Sequence, residues 1–143
     1  MRLALPLMMA MALAACGSKK EGDAKDSADA SAASAQPSLF EAEIAPMLQT
    51  HCAVCHLTGQ EAGNMSLVPA KAVAALVNVK STEAPALTRV VPGDPDNSYL
   101  IMKLEGTQDK HGGVGAQMPF GAPPLSPDQI AKIRKWIADG AKS

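Results

Sequence analysis

The run Cys52-Ala53-Val54-Cys55-His56 narrows what this chain can fold into more than any other feature. Two thiols separated by two residues on a tight helical turn both reach the vinyl edges of one porphyrin and form thioethers with it. The next side chain, His56, then points its imidazole at the iron. A chain built on this turn must fold around a large, flat, apolar body. Other uses of the same residues fit less well. Structural zinc usually takes four ligands, often from two separated pairs. Here only Cys52 and Cys55 are available as thiols beyond the N-terminal region, and adjacent Cys55 and His56 would chelate one zinc poorly. A redox Cys-x-x-Cys wants a βαβ context, and no strand pattern surrounds this one. A local Cys52–Cys55 disulfide stays open in an oxidising compartment.

The N-terminus points to such a compartment. Residues 1–15 carry Arg2 and then an apolar stretch from Leu3 to Ala15, too short and wrongly flanked for a stable membrane span. The stretch reads as a signal peptide. It ends Leu13-Ala14-Ala15-Cys16, which resembles the lipobox of bacterial lipoproteins, where the cysteine is acylated and becomes the new N-terminus. An ordinary secretory signal cleaved after Ala15 is the plainer reading. The Gly-Ser and polar tract after Cys16 favour the lipoprotein. Stable anchoring takes more than one acyl chain, each buried methylene adding roughly 0.8 kcal/mol. A triacylated Cys16 meets that condition.

Residues 17–38 contain no Val, Ile, Leu, Met, Phe, Trp or Tyr. Such a tract cannot bury enough apolar surface to offset its ordering entropy. Residues 16–38 therefore read as a lipidated cysteine and a flexible tether. As a random coil, 22 residues reach roughly 25 Å.

Residues 39–143 form one domain with nine Lys and Arg against ten Asp and Glu. No basic face suggests nucleic acid, and there is no second hydrophobic span. Its aromatics are Phe40, Tyr99, Phe120 and Trp136 alone. A domain this small struggles to bury enough surface by itself. A porphyrin at its centre would supply what the side chains lack.

The pattern predicts helices separated by loops, an all-α class. Ser38 caps a first helix with Leu39, Phe40, Ile44 and Leu48 on its apolar face, leading into Cys52. Pro46 kinks or strains that helix unless it lies at a turn boundary. Ala70 to Val79 reads as a second helix. Asp96, Asn97 or Ser98 caps a third, which runs to about Glu105. A Gly- and Pro-rich ordered loop fills 106–125. Ser126, Pro127, Gln129 and Gly140 bracket the last helix, whose stripe is Ile130, Ile133, Trp136 and Ile137. The first and last helices should pack on each other.

A haem iron bound by His56 leaves a sixth position to fill. Met47 and His51 precede the attachment turn too closely to reach the distal face. Met65 lies only nine residues past His56, a short path around a porphyrin. Met102 sits among Ile101 and Leu104 and reads as core. Met118 lies in a loop 62 residues after His56, with Pro119 behind it and the last helix beyond. Its thioether is soft and neutral, and it favours ferrous iron. Met118 fits best; His111 and an open site are the alternatives.

Together these pieces resemble the monohaem class I cytochrome c family over Leu39 to Ala141. The matching segments are Cys52 to His56, Val91-Pro92-Gly93-Asp94-Pro95 with Ser98-Tyr99-Leu100, Met118-Pro119, and Ile133-Arg134-Lys135-Trp136-Ile137 with Asp139-Gly140-Ala141. The resemblance implies a small helical bundle around one covalent haem c with His and Met axial ligands. The stretch 106–117, Gly-rich and carrying His111, departs from the family pattern. The expected role is single-electron transfer between redox protein partners at the bacterial cell envelope. The domain would face the periplasm and be held to a membrane through Cys16. The alternative is a small haem peroxidase or ligand sensor with an open sixth site, for which His111 is the candidate base.

Overall fold

Pro46 shapes the start of the fold. It has no N–H, and its ring collides with the carbonyl four residues back in a regular helix. The chain answers with a widened π turn, Phe40–Ile44, in which the Ala45 N–H bonds to the Phe40 carbonyl. Helix α1, Ala45–His51, begins only there, with Pro46 in its first turn. Ahead of the π turn, Ser38 and Glu41 satisfy each other's backbone N–H groups at 2.9 and 3.2 Å. The expected Ser38 cap is therefore present. The structure, a computed structural model, describes residues 36–143. The expected signal peptide, Cys16 and the tether as far as residue 35 lie outside the described residues.

Three further α-helices complete the helical set: α2, Pro69–Leu76; α3, Tyr99–Glu105; and α4, Pro127–Ala138. Among the described residues there are isolated β-bridges but no extended strand. The architecture is helical, as the pattern predicts.

Helix α2 stops three residues before the expected Val79. Val77 turns extended and Asn78 adopts a left-handed φ of 58°. The chain then pairs with the returning segment, Asn78 N–H to Val90 O at 2.9 Å and Arg89 N–H to Val79 O at 2.7 Å. Two β-branched residues in sequence, Val90 and Val91, favour that extended pairing over more helix. At α3, Ser98 stands at the cap position, but its hydroxyl does not cap the helix. It accepts from Val91 N–H at 2.9 Å and donates to Asp94 O at 2.8 Å, closing the Val91–Ser98 loop. Gly106, at φ 69°, ends α3 with a left-handed turn. The loop beyond is ordered, and it contains a short 3₁₀ turn at Gln108–His111.

Helix α4 matches its sequence reading in full. Ser126 N–H bonds to Gln129 Oε1 at 2.8 Å and Gln129 N–H to Ser126 Oγ at 3.2 Å. Ile133, Trp136 and Ile137 are buried against Phe40, Ile44 and Leu48. The Phe40 and Trp136 rings stand 5.5 Å apart, tilted by 39°. Each large apolar side chain so buried contributes about 1.5–3 kcal/mol. The first and last helices thus lock together on one side of the domain and leave α2, α3 and the loops to shape a cavity.

Candidate functional site

The Cys52–His56 turn grows directly out of α1. Cys52 and Ala53 N–H both bond to Leu48 O at 2.9 Å, and His56 N–H bonds to Cys52 O at 3.0 Å. The turn is then pinned from the far side by Leu67 N–H on His56 O, at 2.7 Å. Ala53 points into the protein while Val54 is 79 % exposed. Both thiols are free, Cys52 half-buried and Cys55 exposed.

Burial pushes the Cys52 thiol up to about 11. A redox-active or thiolate-donating cysteine needs the opposite shift. A thioether, having no charge to lose, suits that setting. The imidazole of His56 is 8 % exposed, and burial lowers its pKa, against a backbone contact to Ala62 that raises it. It is thereby held neutral, the form that donates a lone pair to a metal. Its Nδ1 is buried and has no hydrogen-bond partner.

Cys52, Cys55, His56 and Met118 all line one cavity of about 470 Å³. That volume falls within the roughly 300–1,000 Å³ of cofactor sites. Leu67, Leu76, Leu100, Leu104 and Pro119 supply apolar wall, and Phe120, 75 % exposed, stands at its edge. Met118 is carried there by its own N–H on Lys103 O at 2.9 Å and by its neighbour Gln117, whose Nε2 donates to Leu104 O at 2.7 Å.

Of the other sulfur and imidazole candidates, two share the cavity with Met118 and three do not. Met65 also lines the cavity, so two methionines face it. His51 lines it as well, with Nε2 3.3 Å from Gln129 Nε2. Met102 is buried with Ala84 and Tyr99, as core filler should be. Met47 packs against the main core. His111 is exposed on the 3₁₀ turn and is not among the lining residues.

Four titratable residues of the wall were not anticipated from the sequence: Glu83, Arg89, Tyr99 and Lys103. Arg89 is 7 % exposed. It donates to Ala75 O at 2.8 Å and to Gly63 O, and among the described residues no carboxylate pairs with it. Lys103 Nζ sits 3.0 Å from Glu83 Oε2 and donates to Val114 O at 3.1 Å. Tyr99 donates to the same Glu83 oxygen at 3.0 Å. Burial, then the Glu83 carboxylate, pushes the Tyr99 hydroxyl up to about 12. Lone charges inside apolar runs, Arg89 before Val90-Val91 and Lys103 between Met102 and Leu104, were the available signals.

Among the described residues no three His, Cys, Asp or Glu side chains converge as a metal site. A porphyrin iron asks less of the protein, because the macrocycle supplies four nitrogens and the chain only axial donors. The donor set here fits that need: two sulfurs on a turn, a neutral buried imidazole and a methionine sulfur, all on the same cavity. No helix among the described residues is long and apolar enough to cross a membrane. No protein-family model, curated protein or solved structure matches the chain.

Proposed function

We propose that this chain is a monohaem c-type cytochrome that carries single electrons at the bacterial cell envelope. The observation that supports it most is the shared cavity: Cys52, Cys55, His56 and Met118 all line one largely apolar space. The sequence motif asks for such a space, yet nothing in the motif itself makes one. When bound, the haem supplies the one-electron ferric–ferrous couple.

The chain's own residues do the rest. Cys52 and Cys55 would hold the group covalently, and His56 and Met118 would ligate it. A soft thioether together with a neutral imidazole would favour the reduced state and leave small ligands little access. Arg89 gives a buried cation to an acid group of the occupant, which a porphyrin carries as its propionates. Val54 and Phe120, each exposed where it lines the cavity, would offer apolar surface to transient redox partners. Acylated Cys16 and the tether would keep the domain near a membrane while leaving that surface free to turn. His111, the base that a peroxidase reading needs, lies outside the cavity wall.

The test is covalent attachment. The full chain, made in a host with active cytochrome c maturation, should keep its haem through denaturation and acid–acetone extraction. The Cys52→Ala, Cys55→Ala double variant should release it. A colourless wild-type protein from that host overturns the proposal.

A further inference from the structure

The stretch 106–117, where the chain departs from the family pattern, is a built strap and not slack. Gln108 Nε2 donates to Gly115 O at 2.8 Å, and Gly113 N–H to Gln108 O at 2.8 Å. Gln117 Nε2 holds the far end on Leu104 O. At Gly113 a Cβ would stand 2.5 Å from the Tyr99 hydroxyl oxygen and 2.9 Å from Gln108 O, so only glycine lets the strap lie this close. Lys103 is the point to which this strap is tied from below. It is 7 % exposed, its ammonium bonds Val114 O in the strap and Glu83 beneath it, and its carbonyl takes the Met118 N–H. One residue of α3 therefore fastens the middle of the strap and the methionine at its exit.

We infer that Lys103, with Glu83 and Tyr99 under it, is a positioning residue that latches the 106–117 strap and thereby sets Met118 in the cavity. This rests on the reading of Met118 as the axial ligand. A lysine this deeply buried is costly to desolvate unless it is paired and hydrogen-bonded. Both partners are supplied here, one of them by the strap itself. Breaking the latch leaves the helices and the attachment turn untouched and loosens the chain from Val114 to Met118. The consequence is specific: the sulfur leaves the iron for a larger fraction of the time, while the haem stays covalently bound.

The experiment uses the haem-loaded full chain. Lys103→Met keeps length and apolar bulk but removes the latch. Gly113→Ala lifts the strap off Tyr99 with Lys103 intact, and it decides the matter if Lys103→Met does not fold. Both should keep wild-type covalent haem content and helical circular dichroism. Both should lose much of the long-wavelength sulfur-to-iron charge-transfer band of the ferric protein. Apparent carbon monoxide affinity of the ferrous protein should rise at least about tenfold, because it scales with the fraction whose sixth position is open. Exchange of the Met118 amide hydrogen should quicken alongside. If Lys103→Met, or Gly113→Ala where Lys103→Met does not fold, melts earlier but keeps the wild-type band and carbon monoxide affinity, Lys103 is structural only and the inference is overturned. If the wild type itself lacks the band, the Met118 assignment fails and this inference falls with it.

Discussion

Three methionine substitutions separate ligation from packing. Met102 is 4 % exposed in a small cluster with Ala84 and Tyr99, away from the cavity wall. A buried Met→Ala change costs about 2–5 kcal/mol, and a satellite cluster with few neighbours sits at the low end, about 2–3 kcal/mol. For a domain near 100 residues that lowers the melting temperature by roughly 8–12 °C, at about 4 °C per kcal/mol. The sulfur-to-iron charge-transfer band should survive Met102→Ala unchanged. Met118 is only partly buried, so Met118→Ala loses less packing and more ligation. The band should vanish and carbon monoxide should bind readily. The reduction potential should fall by on the order of 0.1 V, a fraction of the roughly 0.8 V that axial ligation spans. Met65→Ala is the critical control because Met65 lines the same cavity. Visible spectra, redox titration and thermal melts of the three variants complete the assay. If the band survives Met118→Ala and disappears with Met65→Ala, the inference from loop placement and chain path is wrong. If Met102→Ala removes it, the separation of core from site is wrong.

Two further outcomes are expected. Cys16→Ser should block processing or move the domain from the membrane fraction to the soluble one in cell fractionation; a wild type found wholly soluble refutes the anchor. The Glu61 carboxylate is held near 2, from an ordinary value of 4.5, first by the Thr58 backbone N–H and then by the Thr58 hydroxyl and the Gly59 N–H. Its folded pKa is depressed, so its contribution is complete above the unfolded value and is lost as pH falls towards 2. The melting-temperature gap between wild type and Glu61→Gln should therefore be widest near neutrality and close in acid; a gap independent of pH contradicts this account of the loop after His56.

Local signals were the ones the sequence made legible. The Ser126–Gln129 capping box and the Ile133-Trp136-Ile137 stripe define α4 because both act within a few residues. Ser38 is read for the same reason. The early end of α2 was not legible, since it depends on pairing between Asn78 and Val90, twelve positions apart. Pro46 announced a disturbance, but whether it would kink, strain or widen the helix depended on how Phe40 and Ile44 had to meet Trp136. At the site, the attachment turn and Met118 could be named from spacing and position. Glu83 and Arg89 could not, because loop 77–98 carries no periodicity that says which of its polar side chains turn inward. Tyr99 and Lys103 lie on α3, where the role of a single polar residue among apolar neighbours is decided by what the chain brings against it. The 106–125 loop reads as ordered from its sequence, but what ties it down does not: the close approach of Gly113 to Tyr99 is visible only in the fold.

The polar residues of the wall also bear on why an aromatic-poor domain would tolerate this interior. A buried guanidinium without a carboxylate costs several kcal/mol in desolvation that two backbone carbonyls only partly return. Apolar walls facing water forfeit about 25 cal/mol for each Å² left wet. Taken separately, Arg89 and the leucine-lined wall are two unrelated defects, and natural domains of this size have little stability to spend on either of them. Both occur in one cavity of about 470 Å³. Under the proposed reading, an occupant that is apolar over most of its surface and acidic at its rim would relieve both together. A small organic acid would answer Arg89 alone. The haem proposed from the Cys52-to-His56 turn would bring both features in one group.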